Sequence, residues 1–323
     1  MSMKIPYCFN KMVVYKRPSG PAPVIPLTFE NVGTVGSMTI TYNYQNAMYS
    51  KNDGEWTSTP QTIDPGDKVA ISSDYYNDTS FGDRMFSYSP NGDPQLKVYG
   101  SLMSVYNWQD TPPAYGFSYT FDGFSYVCDA SELVLPPYVN NGCYVCMFES
   151  NSTLTAAPSI FPALTVGGDT NGCYQAMFKS CSNLVKGPDL IAATTVSGTN
   201  TYAMDQMFVG CSSLSTGVEL LITDIVDKTC FVNMFSYCSN LPWVKVHFTT
   251  WDINSTYSSE WGGWLINAGT NVSPIFYKPV DLIIPSPRDG SSVPTNWQVV
   301  NNDVPPIPTA NLIWLMDFSN GLV

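Results

Sequence analysis

The sequence predicts a mixed β/α chain in which an antiparallel β-sandwich precedes a solenoid whose repeats each contain a short helix and a strand. Three observations predict this fold class. Met-Phe pairs recur at positions 147/148, 177/178, 207/208 and 234/235, with spacings of 30, 30 and 27 residues. Apolar side chains fall at i, i+3 and i+4 in each copy, and a cysteine follows at i+7 in all but the first, a pattern typical of one helix face. Upstream, residues 38–44 alternate with a period of two, which is typical of a half-buried strand.

The composition is that of a globular protein with little charge. The chain has 323 residues, of which 44% are hydrophobic and 12% are charged, and its net charge is −12. This balance excludes a nucleic-acid groove as the main function, and no apolar run is long enough to predict a membrane span. The amino-terminus lacks the long apolar core of a secretory signal, so we expect a chain that is made and stays in a cytoplasm.

Residues 1–29 form a basic, proline-rich segment, which predicts an extended anchoring arm and linker. The segment has four basic residues and no acid, so it carries +4 and leaves −16 for the remainder. Basic and aromatic side chains in alternation favour docking on an acidic patch of a partner, and a disordered tail is the alternative. The predicted anchoring residues are Lys4, Tyr7, Phe9, Lys11, Tyr15, Lys16 and Arg17.

Residues 30–110 predict a small, immunoglobulin-like β-sandwich, because alternating runs are separated by Asp-Gly and Asp-Pro-Gly-Asp turns. Asp64 and Asp67 could bind calcium, but turn chemistry explains them more simply. Residues 111–142 contain two proline pairs and an aromatic run. They predict a degenerate leading repeat or a connector, since the terminal repeats of solenoids are atypical.

Residues 143–250 predict the solenoid itself. A leucine follows each apolar face by three residues, and a β-branched or apolar stretch comes next, so each unit is expected to run helix, turn, strand. Such a unit buries its apolar face only by stacking on its neighbours. The predicted solenoid core consists of Tyr144, Met147, Phe148, Tyr174, Met177, Phe178, Cys181, Leu184, Met207, Phe208, Cys211, Leu214, Met234, Phe235, Cys238 and Leu241.

The nine cysteines are an odd number in a long chain, so free thiols are expected. Cys173 and Cys181 lie eight residues apart on a predicted helix, about 12 Å at 1.5 Å per residue, which is too far for a disulfide. Cys143 and Cys146 form a CxxC pair, but no second pair or partnering histidine accompanies it. A ladder of buried thiols is therefore favoured over a zinc site, and no metal or cofactor is expected.

No catalytic motif accompanies the single histidine, His247, and no phosphate-binding loop is present. We therefore predict a protein that is not an enzyme, with a glycan-degrading carboxylate pair as the remaining alternative. Residues 251–303 predict a capping segment. Trp243, just before it, and Trp251, Trp261 and Trp264 within it either close the last coil or stack on sugar rings. Residues 304–323 form a tail that has three prolines near its start and continues as an apolar stretch. We expect it to contact another chain, and packing on the capping segment is the alternative.

The repeated frame CYxxMFxxCSSL, followed by a proline and a short apolar run, resembles the BspA-like leucine-rich repeats of Bacteroidetes surface proteins and of proteins from their bacteriophages. The upstream stretch PLTFENVGTVGSMTI and the downstream stretch WGGWLINAGT are similar to the pieces that flank such repeats. The resemblance covers residues 26–300. Ala203 and Asn151 stand where the frame has cysteines, and Val218 stands where it has a proline, so the copies depart from the frame at single positions.

In particular, the chain resembles head or tail fibre proteins of crAss-like bacteriophages. The resemblance implies a structural virion component, a fibre or capsid decoration protein at the virion surface, with a trimer favoured over a dimer. The arm would bind a phage capsid or tail protein, and the outer modules would bind a host receptor or polysaccharide, without nucleic acid or membrane. A bacterial cell-surface adhesin with the same repeats is the alternative, and it would need an export signal.

Overall fold

The computed structural model describes residues 25–74, 84–109, 111–167, 172–197, 202–225, 230–250, 262–284, 286, 288–289 and 292–302. These ranges contain β-strands and one short 3₁₀ helix (Leu102–Val105), and they contain no α-helix. The strands are β1 (Leu27–Asn31), β2 (Ser37–Tyr42), β3 (Ala47–Lys51), β4 (Thr62–Ile63), β5 (Lys68–Ser73), β6 (Phe86–Asn91), β7 (Leu96–Ser101), β8 (Val127–Asp129), β9 (Leu133–Val134), β10 (Ile160–Phe161), β11 (Thr165–Gly167), β12 (Leu190–Ile191), β13 (Thr195–Ser197), β14 (Val218–Leu220), β15 (Asp224–Ile225), β16 (Trp243–Val246), β17 (Ile275–Lys278) and β18 (Gln298–Asn301).

The first region is a β-sandwich. One sheet has the strand order β3-β5-β1-β7-β8, with β9 also paired to β7, and the other has the order β4-β2-β6. In β2, Met38, Ile40 and Tyr42 are buried and the residues between them are half-buried, as their alternation along the sequence requires. Phe29 of the first sheet meets Phe86 of the second edge to face, with ring centroids 5.6 Å apart. The two inner faces therefore share one core.

The second region is a solenoid of about five turns. Its two parallel sheets have the orders β10-β12-β14-β16-β17-β18 and β11-β13-β15. The register follows the sequence period, since Ile160 pairs with Leu190 and Thr165 pairs with Thr195, each 30 residues on. The predicted solenoid is confirmed.

Hydrogen bonding continues from the sandwich into the solenoid. Strand β7 pairs in parallel with both β8 and β9, and the ladder extends through bridges from Asp129 to Ala156 and from Ala156 to Lys186. Phe117 lies in the segment between the 3₁₀ helix and β8, and its ring stacks on that of Tyr144 with centroids 5.7 Å apart. Residues 117–123 thus form a coil against the first Met-Phe repeat, and the sandwich covers the amino-terminal end of the stack.

The prediction of a short helix in each repeat, and with it the mixed β/α class, is wrong. The backbone N–H groups of Tyr144, Cys146 and Phe148 donate to carbonyls of the next coil instead of to residues four positions earlier. Cys146 and Ser150 have φ angles of 53° and 58°, which an α-helix does not allow. Because the turns recur every four residues, the side chains at i and i+4 lie on the same side of the coil, as they would in a helix. The apolar spacing alone therefore cannot distinguish the two.

Candidate functional site on the solenoid

The predicted solenoid core residues all lie inside the stack, each no more than 1% exposed. Equivalent side chains from successive coils form columns. In one column Phe148, Phe178, Phe208 and Phe235 stack with centroids 5.4 to 5.6 Å apart and rings within 10° of parallel. The methionine and leucine of each repeat are buried in the same way. These residue types therefore pack, and none of them faces a ligand.

The cysteine at the i+7 position of the last three Met-Phe repeats donates a weak hydrogen bond within the stack. The Sγ atoms of Cys181, Cys211 and Cys238 lie 2.9, 3.1 and 3.0 Å from the carbonyl oxygen of the phenylalanine in the preceding coil. Burial raises the pKa of the Cys181 thiol to about 12. A protonated, buried thiol is neither a nucleophile nor a metal ligand at neutral pH. This column is structural.

The CxxC pair does not converge on one point. Cys143 packs in the main core, whereas Cys146, with its positive φ, belongs to a separate small cluster with Val145 and Ala176. All the cysteines in the described part of the chain are free thiols. The same part contains no group of three or more His, Cys, Asp or Glu side chains placed to hold a metal ion.

Two tyrosines in the stack have hydroxyl groups without a hydrogen-bond partner. Tyr144 and Tyr174 stack at 5.5 Å, are fully buried, and neither Oη atom is bonded. Burial raises the pKa of both phenols well above the usual value, so they stay neutral. An unpaired buried hydroxyl costs free energy, and the stack tolerates this cost at two adjacent positions.

A buried carboxyl group on the turn side of the stack is also incompletely bonded. Asp205 is 3% exposed, and its Oδ2 accepts hydrogen bonds from Gln175 and Gln206 at 3.1 and 3.0 Å. Its Oδ1 has no partner. Burial raises the pKa of Asp205, and the two amide hydrogen bonds only partly oppose that rise.

The outer face of the six-stranded sheet carries a different set of residues. Val218, Val244 and Phe276 turn inwards and are buried, so the residues that alternate with them turn outwards. Strand register then places Glu219 beside Lys245 and Lys245 beside Tyr277. Neighbouring strands lie about 4.8 Å apart, and these side chains are therefore in reach of one another.

Trp243 and Tyr277 form an aromatic corner on this face. A Cβ atom on Gly217 would lie 2.0 Å from Cδ2 and Cε2 of Trp243, so the indole lies flat against the glycine backbone. The Tyr277 ring is 6.3 Å from the indole and nearly perpendicular to it, at 79°. Both side chains are half-buried. The indole ring therefore forms the base of the corner, and the phenol ring forms one of its sides.

Next to this corner, the carboxylate of Glu219 contacts the side chains of Lys245 and His247. Its Oε1 accepts from Lys245 Nζ and from His247 Nε2, both at 2.7 Å. Burial raises the pKa of Glu219, but the hydrogen bonds from His247 and Lys245 outweigh it, and the net pKa is below the usual value. The carboxylate is therefore ionised at neutral pH. His247 belongs to this cluster and is itself buried.

The tryptophans predicted to cap the solenoid or to bind glycans are placed only in part. Trp264 is fully buried, and its Nε1 donates to the carbonyl of Ser292 at 2.6 Å. Its ring meets Phe276 edge to face, so it fills the last coil and offers no face to a sugar. Trp251 and Trp261 lie outside the described residues, as do the predicted anchoring residues of the arm and the apolar tail.

The two acids considered for calcium are bonded to a lysine instead. Lys51 Nζ lies 2.5 Å from Asp67 Oδ2 and 3.5 Å from Asp64 Oδ2. The hydrogen bond from Lys51 is the main cause that lowers the pKa of Asp67. An ammonium group thus supplies the positive charge that a calcium ion would supply.

Sequence reasoning did not predict that Trp243, Glu219, Lys245 and Tyr277 come together on the outer face, although part of the pattern was present in the sequence. Glu219 and Lys245 lie 26 residues apart with opposite charges, close to the last repeat spacing of 27, so aligning the repeats would have paired them. Tyr277 lies beyond the Met-Phe repeats and carries no motif. Gly217, which makes room for the indole, lies 30 residues after Gly187 and so recurs with the repeat period.

Comparison with family models, with curated proteins and with solved structures finds no match to the chain. In the described ranges, no helix has the length and apolar character needed to span a membrane.

Proposed function

We propose that the chain is a structural virion component, a phage head or tail fibre or decoration protein that holds its solenoid towards the host surface. The observation that carries this proposal is that the solenoid interior consists of buried, closely packed side chains. Aromatic, methionine and thiol side chains that elsewhere perform chemistry are stacked in buried columns, and the coils are joined by continuous backbone hydrogen bonds. Such a stack is suited to act as a stiff spacer.

The thiols support a protein made in a reducing compartment. Cys143, Cys173, Cys181, Cys211 and Cys238 are buried and unbridged, and a core that needs reduced cysteines suits a cytoplasm. Phage particles are assembled in the host cytoplasm before release. A bacterial adhesin passes through an oxidising compartment to reach the cell surface, so the same thiols favour the virion over the adhesin.

The charge distribution supports anchoring through the arm. Residues 1–29 carry +4 and the remainder of the chain carries −16, so the arm is the one strongly basic segment. A basic segment with interleaved aromatics fits an acidic patch on a capsid or tail protein. The proposal includes a homo-oligomer, with a trimer favoured, as the resemblance to phage fibre proteins implies. Enzymatic activity forms no part of it.

Mass spectrometry of purified virions and of cell-envelope fractions, with determination of the intact amino-terminus, tests this function. The proposal expects the chain on virions with Met1 or Ser2 as its first residue. A processed amino-terminus found on cell envelopes would favour the adhesin instead.

A deletion of residues 2–20 tests the anchoring arm. We expect the deleted protein to fold but to be lost from purified particles. The matched control replaces Lys4, Lys11, Lys16 and Arg17 with glutamine, which keeps the length of the arm and removes its charge. Retention of the deleted protein on particles would count against docking through the arm.

A further inference from the structure

We infer that the aromatic corner, together with Glu219 and Lys245, is a binding site for a pyranose unit of a neutral polysaccharide. The inference deepens the proposed function, in which the solenoid faces the host surface, and rests on it. Of the tryptophans near the solenoid end, the site uses Trp243, whereas Trp264 is buried.

The shape of the corner fits a sugar ring. One face of the Trp243 indole is covered by the Gly217 backbone, so the opposite face points away from the sheet. A flat aromatic surface packs well on the C–H face of a pyranose. The perpendicular Tyr277 ring limits the position of that sugar on one side. The corner therefore accepts a compact ring better than an extended aliphatic chain.

The polar groups beside the corner fit neighbouring hydroxyls. The Oε1 atom of Glu219 accepts both internal hydrogen bonds, and Oε2 accepts none from the described residues. Lys245 uses one N–H on that carboxylate, which leaves two donors. Adjacent sugar hydroxyls each donate and accept, so one can bond Oε2 while the next accepts from Lys245. A carboxylate and an ammonium side by side match such a pair of hydroxyls.

The local charge selects a neutral ligand. Lys245 is already paired with Glu219 and so offers no uncompensated charge to an anion. The chain beyond the arm carries −16, which repels acidic polysaccharides and nucleic acids at longer range. A neutral glycan avoids both costs.

The site lies on rigid elements. Strand β16 carries Trp243 and Lys245 and is flanked by β14 and β17, and β17 is in turn flanked by β18. Strand pairing fixes the spacing of the side chains before a ligand arrives, so little conformational entropy is lost on binding.

Affinity electrophoresis of the full chain in gels that contain dextran, mannan, galactan or dextran sulfate tests the inference. We expect retardation by at least one neutral polymer and none by dextran sulfate. Trp243→Ala should weaken binding about tenfold, the size expected for loss of one aromatic stacking partner. The matched control is Trp56→Ala, which removes a tryptophan that is 42% exposed on the sandwich and should bind like the wild type.

Circular dichroism establishes whether each variant is folded, and Lys245→Met provides a second test that keeps the aromatic corner and the side-chain stem. Lys245→Met should also weaken binding, in a folded protein. Retardation by no neutral polymer, retardation by dextran sulfate alone, or unchanged binding by folded Trp243→Ala and Lys245→Met would each overturn the inference. A chain found on virions that binds no neutral polymer refutes only this site. A chain that binds through Trp243 but is processed on cell envelopes refutes only the virion assignment.

Discussion

Buried tyrosines are treated differently in the two regions of the molecule. In the sandwich and its junction, Tyr42 donates to the carbonyl of Val105 at 2.9 Å, and Tyr106 donates to that of Gly116 at 2.8 Å. In the solenoid, the hydroxyls of Tyr144 and Tyr174 have no partner. The irregular segments near the sandwich leave carbonyls that a side chain can reach. In the solenoid, the coil-to-coil ladder already uses the regularly spaced carbonyls.

This difference explains the residue types of the solenoid interior. A repeated coil offers few free acceptors, so its core favours side chains that need no partner or only a weak one, such as phenylalanine, methionine and a thiol. Asn151 is one exception to this preference, and it shows the cost of a buried polar side chain. Its Oδ1 accepts from the backbone N–H of Leu154 at 3.1 Å, but its Nδ2 has no partner.

The largest expected effect comes from a substitution that interrupts the phenylalanine column. Phe178→Ala should lower the free energy of unfolding by about 3–5 kcal/mol, because the ring is stacked between Phe148 and Phe208 and its loss leaves a cavity. Urea denaturation followed by circular dichroism measures it. Val185→Ala, at a position 47% exposed, is the control and should change stability by about 0.5 kcal/mol or less. A loss below about 1 kcal/mol for Phe178→Ala would mean that the column is not the core.

The next effect compares a tyrosine whose hydroxyl group is hydrogen-bonded with one whose hydroxyl group is not. Tyr42→Phe should lower the free energy of unfolding by about 1 kcal/mol, because it leaves the Val105 carbonyl without its donor. Tyr174→Phe should instead be neutral or stabilise by about 1 kcal/mol, because it removes an unpaired buried hydroxyl. Thermal and urea unfolding of the two variants provide the measurement. Destabilisation by Tyr174→Phe as large as that of Tyr42→Phe would show that its hydroxyl is bonded after all.

The smallest effect concerns the outer face. Glu219→Gln should lower stability at pH 7 by about 0.5 kcal/mol, since the carboxylate is partly exposed and solvent weakens its ion pair. The folded pKa of Glu219 lies below its usual value, so its contribution is present at neutral pH and is lost as pH falls through that lowered pKa. Urea unfolding at pH 7 and pH 3 should therefore show a larger difference at pH 7 than at pH 3.

Glu132→Gln is the matched control at the edge of the sandwich. Glu132 pairs with Lys97 and is 64% exposed, so its loss should leave stability nearly unchanged at both pH values. Equal effects from the two variants would contradict a special role for the Glu219 cluster.

The sequence predicted the stacking of repeats and the inward side chains, because a 30-residue period with one apolar face leaves stacking as the only way to bury that face. It did not predict the turns. Positive φ falls on Cys146, Ala176, Gln206 and Asn233, none of which is a glycine that would signal it. In a solenoid, hydrogen bonds to the next coil stabilise a backbone that local propensity disfavours.

The candidate site was predicted less well, because exposure depends on strand register. The cluster of tryptophans near the solenoid end was visible in the sequence, but Trp264 points inwards and Trp243 lies on the outer face. Trp243 alternates with Val244 along β16 and so shares the outer face with Lys245. Trp264 instead lies in the turn segment that follows Phe235 in the stack, since Phe235 N–H donates to its carbonyl. The pairing of Tyr277 with Lys245 depends on β17, which has no counterpart in the repeated frame.

Differential alkylation of native and denatured protein, with each cysteine read by mass spectrometry, tests the stacked-column interior most directly. The account predicts that Cys181, Cys211 and Cys238 are reduced, resist alkylation together in the native state, and react together once urea unfolds the chain. Rapid labelling of these thiols in the native protein, or their recovery as disulfides, would contradict it.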